Sequence, residues 1–237
     1  MKSDLAKVLH EVDGKAMIDY VIDAVRPLEP SKIAVIVGNR MEQVIAHLKN
    51  SRVVFAVQYE QRGTADAVKC GYPAFGGFEG HLLILCGDSP LIRTDTIRAL
   101  YEHHLSKNAS ATVLTGILDD PEAYGRIIRD DNGDIERIVE FTDASPEIRA
   151  IKEVNSSTYI FNSEDLWDAI GKIDDNNKQG EFYLTDVIEV LKGEGRKVAA
   201  FNVEDSSEIL GVNTKEQLAH AGNKMKERIY TLNPEEK

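Results

Sequence analysis

Several short stretches of this chain combine residue types suited to phosphate and metal chemistry. Gly87-Asp88-Ser89-Pro90 directly follows the apolar run Leu82-Leu83-Ile84-Leu85-Cys86. If that run is a strand of an open α/β sheet, Asp88 stands at its carboxyl end, where such sheets bind ligands. A carboxylate there can hold Mg2+ against substrate phosphates, because Mg2+ keeps most of its coordination positions for water and phosphate oxygens. The same four residues are also ordinary turn formers. In Gln58-Tyr59-Glu60-Gln61-Arg62-Gly63-Thr64, Gly63 would let backbone approach a ligand closely. Thr64, at a helix start, either caps the helix or contacts a base or phosphate. Lys7 lies inside the short apolar segment around Leu5-Ala6-Lys7-Val8-Leu9. It is either a point charge for a phosphate or a solvated near-terminal lysine. Asn213 and Glu216, ahead of the last helix, fit a capping box, and the Asn213 carbonyl is equally acceptable to Mg2+. His10 reads as a packing histidine.

These stretches need a scaffold, and the hydrophobic pattern supplies one. Ile33–Val37, Val53–Val57 and Leu82–Cys86 read as buried strands. Helical patterns follow them over Met41–Leu48, about Ala65–Cys70 and about Thr94–His104. A further helix is expected to open at Gly14-Lys15-Ala16-Met17 and run to Val25. Alternation of this kind predicts an α/β domain with a mostly parallel sheet. From Ala111 the rhythm changes, with extended segments at Thr112–Ile117, Gly125–Arg129, Ile135–Phe141 and Asn155–Phe161, so antiparallel pairing enters. Asp131-Asn132-Gly133 supplies a turn. Helices are expected again at Ser163–Ile170 and Thr185–Leu191, then a strand at Val198–Val203 and a last helix from about Thr214. Residues 1–229 form the expected domain and 230–237 a tail without core pattern.

Bulk properties narrow the chemistry. The chain has 237 residues, 42% hydrophobic and 29% charged, enough for a large core. With 28 Lys plus Arg against 40 Asp plus Glu, the net charge of −12 argues against nucleic acid or an anionic membrane surface as partner. A small phosphorylated ligand needs only a local cation, a metal ion or a row of N–H groups. Cys70 and Cys86 have neither metal nor redox spacing, as in a reducing compartment. No apolar run reaches membrane-spanning length, and a cytoplasmic protein is expected. A dinucleotide-binding oxidoreductase is set aside because no strand is followed by Gly-x-Gly-x-x-Gly.

Taken in order, the motifs resemble a family. Ser3-Asp4-Leu5-Ala6-Lys7-Val8-Leu9-His10, Gln61-Arg62-Gly63-Thr64-Ala65, Gly87-Asp88-Ser89-Pro90-Leu91-Ile92, Tyr124-Gly125-Arg126-Ile127, Ile138-Val139-Glu140, Gln179 to Asp186 and Gly211-Val212-Asn213 are similar to the sugar nucleotidyltransferases. Within that family they most resemble the N-acetylglucosamine-1-phosphate uridylyltransferase domain that makes UDP-N-acetylglucosamine. The resemblance covers roughly residues 1 to 220 and implies a Rossmann-like nucleotide-diphospho-sugar transferase fold, Mg2+ as cofactor, and UTP and an amino-sugar 1-phosphate as substrates. It implies Lys7 for the nucleotide phosphates, Gln58 for uracil, Gly63 and Thr64 for the nucleoside, with Cys86 and Gly87 lining the same pocket. Asp88 and Asn213 match the metal ligands. Gly125, Glu140 and Asn155 match groups that hold the amino sugar, flanked by Tyr183 and Thr185.

The chain also departs from the family pattern. It opens at the Met of the family's Leu-x-x-Gly-x-Gly-Thr-x-Met loop, so the first strand and its phosphate-gripping loop are expected to be missing. Ala6 stands for a Pro, Asp66 for a His, Cys86 for a Tyr, and Ser156-Ser157 for Thr-Gly or Ser-Gly after Asn155; Phe141-Thr142 follow Glu140 where charged residues are usual. No hexapeptide repeats follow Asn213, so no acetyl-CoA chemistry is expected. Alternatives are a relative using another sugar 1-phosphate or nucleotide, and an impaired one that only binds a sugar nucleotide.

Overall fold

Apolar five-residue runs followed by helical patterns become strand and crossover helix in the computed structural model, which describes residues 3–232. The strands are β1 (Glu11–Val12), β2 (Lys15–Ala16), β3 (Ala34–Val37), β4 (Val54–Val57), β5 (His81–Ile84), β6 (Ala111–Ile117), β7 (Arg126–Arg129), β8 (Ile135–Val139), β9 (Glu153–Asn162) and β10 (Val198–Asn202). The helices are α1 (Met17–Val25), α2 (Met41–Leu48), α3 (Thr64–Cys70), α4 (Tyr72–Phe75), α5 (Thr94–Lys107), α6 (Pro146–Arg149), α7 (Ser163–Ile170), α8 (Asp186–Gly193) and α9 (Lys215–Leu232). The expected helix from Gly14 is corrected at its start. Lys15–Ala16 pairs antiparallel with Glu11–Val12, and Asp13 and Gly14 turn the hairpin with φ of 49° and 80°. Helix begins only at Met17, because Gly14 at positive φ breaks the helical path.

The sheet is mixed, as expected. The larger part runs β10-β6-β9-β7-β8, with β5 also on β9. β10 is parallel to β6, whereas β5, β6 and β7 meet β9 antiparallel. β3 and β4 form a separate parallel pair. Both faces of the large sheet are covered, which is why β6 and β9 read as continuous apolar or small residues. Val113, Tyr159 and Phe161 pack on one side with Leu166 of α7 and Val187, Ile188 and Leu191 of α8. Leu114, Val154 and Ile160 pack on the other with Ile97 and Leu100 of α5. Asn162 starts α7 by accepting from the Glu164 and Asp165 backbone N–H groups at 3.0 and 3.3 Å.

β3 and β5 are not hydrogen-bonded to each other, and no strand among the described residues lies between them. A cavity of about 990 Å3 separates the two parts, with Ile22, Val35, Leu83 and Ile160 among its apolar walls. Gly38 and Gly87 border this cavity, and each directly follows or closely follows the strand it belongs to. Among the described residues no helix is long and apolar enough to cross a membrane.

Candidate functional site

Lys7, Asp88 and Asn213 are far apart in the chain and meet in space. Lys7 Nζ donates to both Asp88 Oδ2 and Asn213 Oδ1. Each arrives on its own support. Lys7 opens a 3-10 turn, Lys7–Leu9, whose approach is held by α2: Gln43 Oε1 accepts from Ala6 N at 2.7 Å and Gln43 Nε2 donates to Asp4 O at 2.9 Å. Arg40 Nη1 donates to Leu5 O at 3.0 Å. Asp88 follows β5 and is tied to the distant loop through its own carbonyl, which accepts from Val212 N at 2.9 Å. Gly211 N donates to the Tyr124 hydroxyl at 2.8 Å, fixing the same loop from the other side.

The capping box expected between Asn213 and Glu216 is corrected. The box is Thr214 with Gln217: Thr214 Oγ1 accepts from Gln217 N at 3.1 Å, and Gln217 Oε1 accepts from Thr214 N at 3.1 Å and Asn213 N at 2.7 Å. The pattern is one residue out of step with the expectation. Its consequence is chemical, because the Asn213 side-chain oxygen accepts from the Lys7 ammonium. No group of three or more His, Cys, Asp or Glu side chains able to hold a metal occurs among the described residues. The arrangement here is instead one carboxylate and one amide oxygen around a positive charge.

A second arm lies at the end of β4. Gln58 Nε2 donates to Gly63 O at 3.1 Å and to Asp66 Oδ2 at 2.9 Å. Gly63 has φ of +115°, and a Cβ there would lie 2.4 Å from Phe182 O and 2.7 Å from Phe182 N. The close approach that demands glycine is therefore to backbone of the 182 segment. Thr64 does not cap α3 either. Its Oγ1 accepts from Leu184 N at 2.9 Å, while Ala65 N donates to Phe182 O at 2.9 Å and Phe182 N to Arg62 O at 2.8 Å. The loop 58–64 and the 182–185 segment are thus laced together.

That lacing leads to a third arm. Thr185 Oγ1 donates to Glu140 Oε1 at 3.1 Å. Gly125 faces Glu140 and Asn155; a Cβ there would come within 3.4 Å of Glu140 Oε2 and 3.6 Å of Asn155 Cβ. Asn155 is buried, with Nδ2 donating to the Tyr159 hydroxyl at 2.7 Å and Oδ1 accepting from Ser157 N at 3.1 Å. Tyr183 stands at the edge, its hydroxyl donating to Gln179 Oε1 at 2.8 Å with Asp143 Oδ2 3.2 Å away as the alternative acceptor. The ring closes at Cys86, whose Sγ lies 3.8 Å from Ser157 O. Gly87, next along, has the Ile18 and Val8 side chains against its open face.

Burial sets the electrostatics of this arm. It raises the Glu140 carboxyl above its ordinary range, with the Thr185 hydroxyl opposing. Burial, reinforced by Glu189 and Glu140, lifts Asp186 to about 6. Burial also pushes the Cys86 thiol up to about 12, with Asp88 adding to it, so the thiol stays protonated and is no nucleophile. Sequence reading gave no individual role to Gln43, Tyr124, Ser157 or Asp186, although Tyr124 and Asp186 lie within the matched motifs and Ser157 stands where a glycine is usual, with φ of +60°.

Seen together, the three arms offer a cation-gathering centre, a buried amide at a strand end and a half-buried carboxylate with a glycine opening. The sequence profile of the nucleotidyl transferase family matches residues 2–212, which include every expected site residue except Asn213. The bifunctional protein GlmU of Enterococcus faecalis is 46% identical over 232 residues, 98% of this chain and 50% of that protein. GlmU of a Geobacillus species is 47% identical over 229 residues, 97% of this chain and 50% of the relative. GlmU of Clostridium tetani is 43% identical over 235 residues, 99% of this chain and 51% of the relative. The chain spans about half the length of the curated relatives it matches. The chain belongs to the nucleotidyl transferase family.

Proposed function

We propose that this chain, through residues 1–229 acting as one transferase domain, moves a uridylyl group from UTP to N-acetylglucosamine 1-phosphate. The products are UDP-N-acetylglucosamine and pyrophosphate, the cofactor is Mg2+, and the substrates place the work in the cytoplasm. The observation that carries the reading is the meeting of Asp88 and Asn213 on one cation beyond β5. Two hard oxygen donors gathered about a positive charge fit Mg2+, which takes few protein ligands beside phosphate oxygens and water. Bound there, Mg2+ would screen the phosphates and stabilise charge on the transferring phosphoryl group.

The chain's own residues hold and neutralise. Lys7 contributes a fixed ammonium toward phosphate charge that grows in the transition state. Gln58, with Gly63 and Thr64, receives the nucleoside, and Cys86 and Gly87 line the floor between the arms. Glu140 and Asn155 hold the amino sugar over the opening that Gly125 leaves, with Tyr183 and Thr185 at its border. A phosphate oxygen of the sugar phosphate forms the new bond to the α-phosphorus as the bond to pyrophosphate breaks. The nucleophile is already an anion, so alignment and charge neutralisation matter more than proton transfer.

Pyrophosphate release by the purified chain with Mg2+ tests the reading. Release is expected with UTP and N-acetylglucosamine 1-phosphate, and not with glucose 1-phosphate or with dTTP. Faster release with another sugar 1-phosphate would move the acceptor assignment. Absence of release from every pair would sink the transfer itself.

A further inference from the structure

Asp66 has no part in the reading above, yet it is buried against the side chain assigned to the base. Gln58, just after β4, is 9% exposed, and Asp66, in the first turn of α3, is 8% exposed. Gln58 Nε2 donates to Asp66 Oδ2 at 2.9 Å and to Gly63 O at 3.1 Å. An ionised carboxylate and a backbone carbonyl can only accept, so only the NH2 end of the amide can satisfy them. The chemistry of the neighbours thereby settles which end of Gln58 is nitrogen. Both N–H groups are then engaged. Gln58 Oε1 accepts no hydrogen bond among the described residues and is not one of their enclosed, unpartnered polar atoms, so it keeps access to solvent. Asp66 is itself held in place, because Arg62 Nη2, on the loop just before α3, donates to its second oxygen, Oδ1, at 3.0 Å.

We propose that Asp66 is a positioning residue that sets base selectivity. By holding the NH2 of Gln58, it fixes Oε1 as a lone acceptor toward the base. An acceptor at that point matches a pyrimidine whose N3 carries a hydrogen, as uracil does. It opposes one whose N3 presents a lone pair, as cytosine does. Were the amide free to turn over, Nε2 would serve cytosine equally well, and Gln58 alone would discriminate weakly. Selectivity therefore belongs to the pair, with the Gly63 carbonyl as its second anchor. The inference rests on the reading that Gln58 meets the base.

Calorimetric titration with UTP and with CTP, in the presence of Mg2+, tests it on the intact chain, Asp66→Ala, Asp66→Asn and Gln58→Ala. The unaltered chain is expected to prefer UTP. In Asp66→Ala the preference falls about tenfold or more, the size expected when a hydrogen bond to a charged group is lost. Asp66→Asn keeps the shape, removes the acceptor-only character and serves if the alanine variant fails to fold; it shows the same fall in weaker form. A merely structural role would weaken both nucleotides alike and leave their ratio unchanged. In the Gln58→Ala background, Asp66→Asn is expected to leave the ratio where it is. An unchanged ratio in both Asp66 variants, with UTP preferred by the unaltered chain, overturns this inference alone. Full retention of the preference by Gln58→Ala, or no binding of either nucleotide to the unaltered chain, overturns the underlying reading and this inference with it.

Discussion

Alanine at position 63 would place a Cβ 2.4 Å from the carbonyl oxygen of Phe182 and 2.7 Å from its nitrogen. Neither atom can yield cheaply. Phe182 N donates to Arg62 O at 2.8 Å and Phe182 O accepts from Ala65 N at 2.9 Å, so the backbone struck by the new methyl is pinned on both sides of Gly63. Strain comes first: φ of +115° lies where side chains are rarely tolerated, and such a residue costs about 1–3 kcal/mol. Relief of the clash by parting the two segments then forfeits the two hydrogen bonds, about 0.5–1.5 kcal/mol each. Together the expected loss is about 2–6 kcal/mol, large beside the roughly 5–15 kcal/mol that holds a typical domain. Trp167, the single tryptophan, packs against the core formed with α8 and reports unfolding by its fluorescence. Urea titration followed at that residue, with linear extrapolation, gives the loss directly. The same variant is expected to weaken nucleotide and sugar-phosphate binding together, because the Gly63 segment ties the Gln58 arm to the Glu140 arm through Leu184 and Thr185. A stability loss below about 0.5 kcal/mol, with binding intact, would refute the claim that this lacing shapes the site.

Other consequences are open to direct measurement. Asp88→Ala is expected to lower Mg2+-dependent pyrophosphate release by about 10²–10³ or more, as for other preorganised charged groups, and substantial remaining turnover would remove Asp88 from the metal site. Ser157→Gly should raise the urea midpoint by about 0.5–1 kcal/mol equivalent, because a left-handed serine at φ of +60° gives way to a residue without Cβ; an unchanged or lower midpoint would show that the serine is not strained. His104 is enclosed between Thr112 Oγ1 at 2.8 Å and His81 Nδ1 at 3.1 Å, and burial, then His81 and His103, lower it to about 4. The folded chain therefore resists a proton that the unfolded chain takes up near 6.5, and stability should fall as pH drops from about 6.5 to about 4. Denaturant midpoints for the unaltered chain and His104→Gln across that window check the sign. Asp186 acts oppositely: with its folded pKa raised from 3.8 to about 6, it should destabilise increasingly as pH rises through that interval. Asp186→Asn should flatten that slope and raise the midpoint at neutral pH.

The sequence by itself determined the parts whose cause is local. Apolar runs ending at Gly38, Gln58 and Gly87 predicted strands, and β3, β4 and β5 lie there within a residue or two at each end. Met41–Leu48 and Ser163–Ile170 are helical over the expected residues because each carries a periodic apolar face, and Asn162 caps the second. Asp131-Asn132-Gly133 turns β7 into β8, with Gly133 at φ of 82°. The motif order also made the family legible, and the match over residues 2–212 bears it out. What local pattern could not decide was partnership. Lys15–Ala16 looks helical alone and is a strand because Glu11–Val12 lies beside it. Thr64 read equally as a cap for α3, whereas tertiary packing sets its hydroxyl on Leu184 N and brings Gly63 against the backbone of Phe182. The Thr214–Gln217 box, not one at Asn213, leaves the Asn213 amide on Lys7. Lys7 and Asp88 are 81 residues apart, and Lys7 and Asn213 are 206 apart. Helices and turns are written in neighbouring residues because their hydrogen bonds close locally, but only the fold can gather oxygens from two distant segments around the charge of a third.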